Sequence, residues 1–576
     1  MPNIPTNSEY NVYIGARYVP KLDGNWSSEK EYEPLTIVSY QGNSYTSKTF
    51  VPAGTLPTDS DYWALTGNYN AQIEQYRQEV ETLQNNVNDI INSMADVTLL
   101  GISNDGVTDV TKQLQELFNN NDYSHIYFPD GKYLAKNLTI NKNVTMSDNA
   151  YFIYNGYGED TFITINGDNL SLCLNIDCNN KNPLYAADVS GSNIFISCCH
   201  IKNLTYNGSQ PANSGLHCNV NKLFIDRVYI ENFVSTNTSP KNDSCPQGVT
   251  LDLKCTNVMI NELIGNTTRA LIVDYSENAE LQLSNINSYN CLDNVVYINK
   301  GDQVNIGNIN SCIANEVVAV ITDGYETGIR RSSINVGTIN SYSAEFIIRH
   351  TVCDSILIGN INARGVFNDI LLTANESEAY CNTLIIGNIN VEAICNGIFF
   401  CPADRGSIGR IMLGNIHINA YYKKSSGGSL LSFMRLDNAD EVSIDNLTFK
   451  FIDMENTIST GTRISLQLKD GLERISKIGQ VTFTAFDSSQ NNMKDIIFRI
   501  TNATQNMLKV VNGIFNTSQT YIEFYGDRMM ESYCCITNVP TVGTFRKGFI
   551  LYDLSGNHFA YICTAKGSPG TWKTID

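Results

Sequence analysis

A four-residue pattern recurs along the second half of the chain. It reads LSNI at 283–286, IGNI at 306–309, VGTI at 336–339, IGNI at 358–361, IGNI at 386–389, LGNI at 413–416, IDNL at 444–447 and IGQV at 478–481. The final residues lie 23, 30, 22, 28, 27, 31 and 34 positions apart, a mean near 28. Self-similarity at such a period marks a solenoid, in which each repeat buries its apolar face only against its neighbours. The uneven spacing excludes a rigid code such as that of leucine-rich repeats. It fits coils of three short strands joined by turns of variable length. The apolar residues flanking each Gly-Asn pair face inward, and the glycine leaves room at a bend between strands. Asparagines at equivalent positions are expected to stack as an amide ladder along the axis. The fold class is therefore mainly β, a parallel β-helix.

Composition agrees. Charged residues are only 17% of the chain, where an ordinary soluble protein carries about 25%. Like charges stacked one coil apart repel, so repeated turns favour neutral Asn and Ser. Net charge is −19. That argues against a nucleic-acid partner, which needs a basic face. It argues equally against docking on anionic lipid. No apolar run of about 18 residues is present, so no membrane insertion is expected. The opening MPNIPTNSEYNVYIGARYVP has neither the basic nor the apolar region of a signal peptide. The 16 cysteines include no C-x-x-C, and most sit in apolar runs; they read as reduced packing residues. No metal site and no cofactor are expected.

Residues 1–68 hold Trp26 and Trp63, with Tyr32, Val38, Tyr45 and Tyr62 between them. The runs LTIVSY and NSYTSKTFV, joined by a Gly-Asn turn, predict a small antiparallel β-module. Its aromatics serve as core or as sugar-stacking platforms. The pattern resembles the small chitin-binding-type modules appended to phage proteins.

Residues 69–98 carry a heptad seam. Ile73, Tyr76, Val80, Leu83, Val87, Ile90, Met94 and Val97 are spaced 3 and 4 in strict alternation. That predicts a coiled-coil stalk and a parallel homo-oligomer; mixed β-branched a and d positions do not force a dimer and tolerate a trimer, and three chains are expected largely because of the β-helix that follows.

The solenoid is expected over 99–539. It opens on NDGVTDVTKQLQELF, a turn and a short helix, followed by the strand HIYFPDGKYL. Asp109 is expected to cap the helix, and the helix to plug the open end of the stack. This opening resembles pectate-lyase-superfamily right-handed β-helices, in which D-G-x-x-D-D-T precedes a strand and P-x-G-x-Y; Val110 stands here in place of the second paired acid.

Enzymes of this architecture converge carboxylates on an outer groove, where a pair can act as general acid and base or nucleophile on a glycosidic bond. Aligning the coils on the repeat gives one polar column: Asp274, Asn299, Asp323, His350, Glu376, Asp404 and Asp437. The alternative role for such residues is an Asx turn. The insertion Thr322–Ser333 adds Tyr325, Glu326, Arg330 and Arg331. The candidate catalytic set is therefore Asp323, Glu326, His350 and Asp354. Tyr325, Arg330, Arg331, Arg349, Asp274 and Asp404 are candidate substrate contacts, the arginines as bidentate grips for phosphate or carboxylate.

Residues 540–576 read as a small hairpin module ending in GSPGTW, similar to the short domain that closes many phage tail-spike chains. The whole order of β-module, stalk, β-helix and tip resembles the tail spikes and pre-neck appendages of short-tailed phages of Gram-positive hosts. The segment IGARYVP…EYEPLTIVSYQGNSYTSKTFVPAG…YWALTGNYNAQIEQYR is the most specific part of the match. The resemblance implies a homotrimer on the virion, attached to capsid, neck or collar proteins through its N-terminal region. It implies recognition of a host cell-wall glycan, teichoic acid or capsular polysaccharide. Degradation of that polymer, as hydrolase or lyase, and purely structural adhesion both remain open at this point.

Overall fold

A computed structural model describes residues 19–576 apart from 159, 207–212, 236–245, 267–269, 277–279, 300–301, 321–332, 351, 367–369, 374–379, 394–398, 401–406, 424–433, 437, 459–462, 469–475, 492, 494–495, 503–507, 515–519, 526–533, 537–546, 549, 554–557, 566 and 568–569. The chain divides into two compact units, Met1–Met94 and Ala95–Asp576.

The first unit holds a four-stranded sheet of β1 (Lys21–Asn25), β2 (Thr36–Tyr40), β3 (Asn43–Ser47) and β4 (Trp63–Gly67). β2, β3 and β4 pair antiparallel as expected, whereas β1 runs parallel to β2. Tyr32, Val38, Val51 and Trp63 form its core, with Trp26 half-buried against them. The Tyr32 and Trp63 rings meet edge to face at 5.3 Å. These aromatics are what a sheet this small has to bury, so the platform role falls away for Tyr32 and Trp63.

Helix α1 (Tyr69–Asn92) follows. Ile73, Tyr76, Val80, Leu83 and Val87 are each between 51% and 67% exposed, a continuous apolar seam on an otherwise polar helix. Two members of the expected heptad seam are corrected. The helix ends at Asn92, and Met94 lies in the short strand Met94–Asp96. Val97 is fully buried in the core of the second unit, its N–H donating to Tyr127 O at 3.2 Å. The heptad spacing runs past the helix end only because the next residues, buried at Ala95 and Val97, alternate with a strand's period of two.

The second unit is a parallel β-solenoid. Helix α2 (Thr111–Asn119) buries Leu114, Leu117 and Phe118 against its first coils, and Gln115 clamps the backbone of Thr139 through both its N–H and its carbonyl. Val110, not Asp109, is the N-cap; Asp109 stands one residue earlier, accepts the Thr111 N–H at 3.0 Å and also holds Asn155. Among the described residues α1 and α2 are the two helices, and neither is long and apolar enough to cross a membrane.

Every recurrence of the four-residue motif falls in register. Ile286, Ile309, Ile339, Ile361, Ile389, Ile416, Leu447 and Val481 are successive partners in one column, continued upstream through Leu263, Val228, Cys199 and Leu174. All are at most 2% exposed. The glycines explain the bend. A Cβ on Gly337 would lie 2.5 Å from the carbonyl oxygen of Gly307, and one on Gly359 would lie 2.5 Å from that of Gly337. Coils pass so closely here that only a residue without a side chain fits.

The expected amide ladder is present twice. Asn285 accepts from Asn308, and the column resumes after Thr338 through Asn360, Asn388, Asn415 and Asn446. A second ladder, two residues on, joins Asn287, Asn310, Asn340 and Asn362 at 2.8–3.0 Å. At the far end Ile550–Asp553 and Ala560–Ala565 pair antiparallel, then Thr571–Ile575 adds a third strand with Trp572 against the core.

Candidate functional site

The second ladder forms one wall of a groove. After Asn287, Asn310 and Asn340 comes a serine, Ser288, Ser311 and Ser341, replaced on the next rungs by Ala363 and Val391, and then a residue that points out again, Tyr289, Cys312, Tyr342, Arg364 or Glu392. One position beyond, the chain turns a corner in the left-handed region at Ile313 (φ 62°), Ser343 (φ 63°) and Gly365 (φ 65°). A β-branched residue such as Ile313 seldom adopts that conformation. The stacked corner swings the outer column towards the amide wall and leaves a groove of about 500 Å³ between them.

Beneath the wall, Ser288, Ser311 and Ser341 are 1%, 5% and 6% exposed and share the inward face with Ile286, Ile309 and Ile339; none of their hydroxyls has a hydrogen-bond partner among the described residues. A buried hydroxyl left unpaired costs about 1–3 kcal/mol. Sealed inside the coils, the three hydroxyls are a polar line in the core and do not reach the groove surface. Tyr289 and Tyr342 stand on the rim, each 61% exposed. The groove is neutral from Asn287 to Asn362; charge enters at Arg364 and Glu392, on neighbouring rungs. The arrangement suits a hydroxyl-rich chain: amides to bond it, phenol rings to stack on its apolar faces.

The acidic candidates are placed differently. Asp323, Tyr325, Glu326, Arg330, Arg331 and Asp404 lie outside the described residues, as do Glu376 and Asp437. The register does join Asp274 and His350 in one column, but through Ile298 and Val320 rather than Asn299 and Asp323. That column faces the lumen at Leu251, Asp274 and Ile298. Asp274 has no exposed surface: its carboxylate accepts from the N–H and hydroxyl of Ser276, and Oδ2 has no partner among the described residues. Burial, aided by nearby Asp302, pushes it up to about 6. It closes an Asx turn, the alternative role considered from sequence, and does not present itself to a ligand. His350 ends the strand Ser333–His350 opposite Thr373. Arg349 and Asp354 are half-buried on successive strands.

Two imidazole clusters escaped the sequence reading. His217 stands between Asp188, at 2.8 Å, and Asp252, at 3.6 Å, with the Tyr185 ring stacked on it at 4.1 Å. His200 bonds Tyr151 and Glu231 at 3.1 and 3.0 Å. Only the coil-to-coil register brings these residues together, across gaps of 29 to 49 positions. Among the described residues no group of three or more His, Cys, Asp or Glu is arranged to hold a metal.

No family model matches the sequence, and no curated protein matches it. Among solved structures the chain is similar to tailspike protein 3 of bacteriophage CBA120, at 10% identity and a TM-score of 0.35, over 95% of this chain and 85% of that one. It is also similar to the ORF18 protein of Geobacillus virus E2, at 13% identity and a TM-score of 0.20, over 97% and 89%.

Proposed function

We propose that this chain is a receptor-binding appendage of a phage virion, of the tail-spike or pre-neck kind, that holds a host cell-surface glycopolymer along the groove between Asn287 and Glu392. The observation that carries the reading is the neutral wall of stacked amides flanked by two exposed tyrosines. Such a lining meets sugar hydroxyls without requiring a charged ligand, and Arg364 adds one cation for a phosphate or carboxylate substituent. The resemblance of the N-terminal segment to particle-binding regions supports attachment to the capsid, neck or collar through residues 1–68. The exposed seam of α1 supports a homotrimer, because an apolar stripe of this length is covered when helices associate.

The test is binding of purified wall teichoic acid and capsular polysaccharide to the full chain, with Tyr289→Ala and Tyr342→Ala as groove variants. Loss of binding in both, with thermal melting unchanged, supports the groove; undiminished binding in both overturns it. Depolymerisation is the finer proposal, with Asp323 and Glu326 as acid and base or nucleophile and His350 and Asp354 beside them. New reducing ends, unsaturated ends or released phosphodiesters would report it, and Asp323→Asn and Glu326→Gln should abolish the product while binding persists. The neutral groove wall favours adhesion without chemistry as the second reading, and absence of product from a polymer that still binds would select it.

A further inference from the structure

We propose that Cys173 and Cys198 form a redox-active dithiol, which closes to a disulfide between neighbouring coils when it meets a small-molecule disulfide. The two lie in the strands Ser171–Lys181 and Tyr185–Tyr206, which pair in parallel. In simple register Cys173 would face Ser197. Instead Leu172 pairs with Ile196 and Cys173 with Cys198, so Ser197 is an extra residue, a β-bulge. Bulges re-aim side chains. This one sets Cys198 opposite Cys173 on the outer side, both half-buried, and sends Cys199 into the core opposite Leu174. Ser197 fixes the bulge by donating its hydroxyl to Leu172 O at 3.2 Å.

Partners on adjacent parallel strands stand about 4.8 Å apart, inside the 4.4–6.8 Å that a disulfide spans between Cα atoms. The Cys198 thiol hydrogen-bonds Cys173 and lowers it, while the same bond and burial raise Cys198. Cys173 is therefore the nucleophile and Cys198 the resolving thiol. The Cys173 thiolate attacks one sulfur of the incoming disulfide and expels a thiolate. Cys198 then loses its proton to that thiolate and attacks the Cys173 sulfur, expelling the second thiolate, which takes a proton from solvent. The balance is two protein thiols and one disulfide in, one protein disulfide and two small thiols out. A chain made in a reducing cytoplasm would gain this staple on reaching an oxidising exterior.

The chain contains its own control. Cys353 and Cys381 are also register partners, but they are 1% and 0% exposed, and their hydrogen bond and burial push the Cys353 thiol well up. Incubate the full folded chain with oxidised glutathione, quench with acid, and map the peptides by mass. A Cys173–Cys198 link at about tenfold or greater excess over any Cys353–Cys381 link is the expected result. Cys198→Ser should instead retain a glutathione adduct on Cys173. Equal oxidation of the two pairs, or glutathione exposure that leaves Cys173 and Cys198 unlinked in the folded chain, would overturn the proposal. Competition labelling of the unmodified chain at pH 7 with iodoacetamide reads the same asymmetry without a variant: Cys173 should be the fastest thiol, and parity with Cys353 would count against it.

Discussion

Asn340 donates its amide N–H to the side-chain oxygen of Asn310 at 2.9 Å, from one coil to the coil before it. Asn362 does the same to Asn340 at 3.0 Å, so Asn340 is both donor and acceptor in the wall of the groove. Replacing it with Asp removes the donor and sets a carboxylate against the Asn310 oxygen. Asn340→Asp should cost about 1 kcal/mol and weaken glycopolymer binding, whereas Asn335→Asp, which removes the donor to Asn305 outside the groove, should lower the thermal midpoint alone. Calorimetry and binding on the same preparations separate the two effects.

The glycine column sets a second test. Gly337→Ala places a methyl group 2.5 Å from a backbone carbonyl that belongs to the neighbouring coil and has no rotamer to change. About 1–3 kcal/mol of destabilisation is expected, read as a lower melting temperature. Gly54→Ala, with open space around its Cβ position but a φ of 87°, should cost less, through backbone strain alone.

Asp274 gives a pH dependence with a defined sign. Its folded pKa, about 6, lies above the unfolded value near 4. Folding therefore takes up a proton between those values, and this residue's contribution improves as pH falls from 8 towards 5. Asp274→Asn should stabilise the chain by roughly 2 kcal/mol at pH 8 and by little below pH 4. A melting-temperature difference between variant and wild type that stays flat from pH 5 to pH 8 would refute the assignment.

For the rim of the groove, Tyr342→Ala should weaken glycopolymer binding about fivefold, the equivalent of roughly 1 kcal/mol of ring stacking. Tyr157, 87% exposed but not part of the groove, should be replaceable without effect. Titration calorimetry or surface-immobilised polymer gives both values.

Helix α1 separates assembly from folding. Leu83 is 62% exposed, so Leu83→Asp should shift the sedimentation coefficient to that of a single chain and leave the β-sheet spectrum intact. Val97 is buried in the solenoid, and Val97→Asp should prevent soluble expression altogether.

What the sequence revealed depended on how far apart the informative residues lie. The repeat could be read because one coil's Leu-Gly-Asn-Ile is enough to recognise the next, and each instance proved to be in register. The amide ladder followed from the same spacing. Within the acidic column, Asp274 was aligned from the end of its strand, where turn lengths differ; counting along the strands pairs it with Ile298 rather than Asn299 and turns it inward. The groove was hidden for a related reason. Tyr289 and Tyr342 are 53 positions apart, and Asn310, Asn340 and Asn362 become one wall only once the coils stack. At Val97 a heptad and a strand happen to agree on which residue is apolar, and only the end of the helix decides between them.

The amide ladders also have a direction. From Asn308 to Asn446 each side-chain N–H points to the lower-numbered coil, as do those of Asn193 and Asn232 far upstream. The coil already in place thus always offers an oxygen, and the coil arriving always supplies the hydrogen. A polypeptide leaves the ribosome N-terminus first, so each finished rung is a template with its acceptors facing the segment still to come. If coils are added in the order of synthesis, a chain stalled midway would end in a row of unclaimed carbonyls.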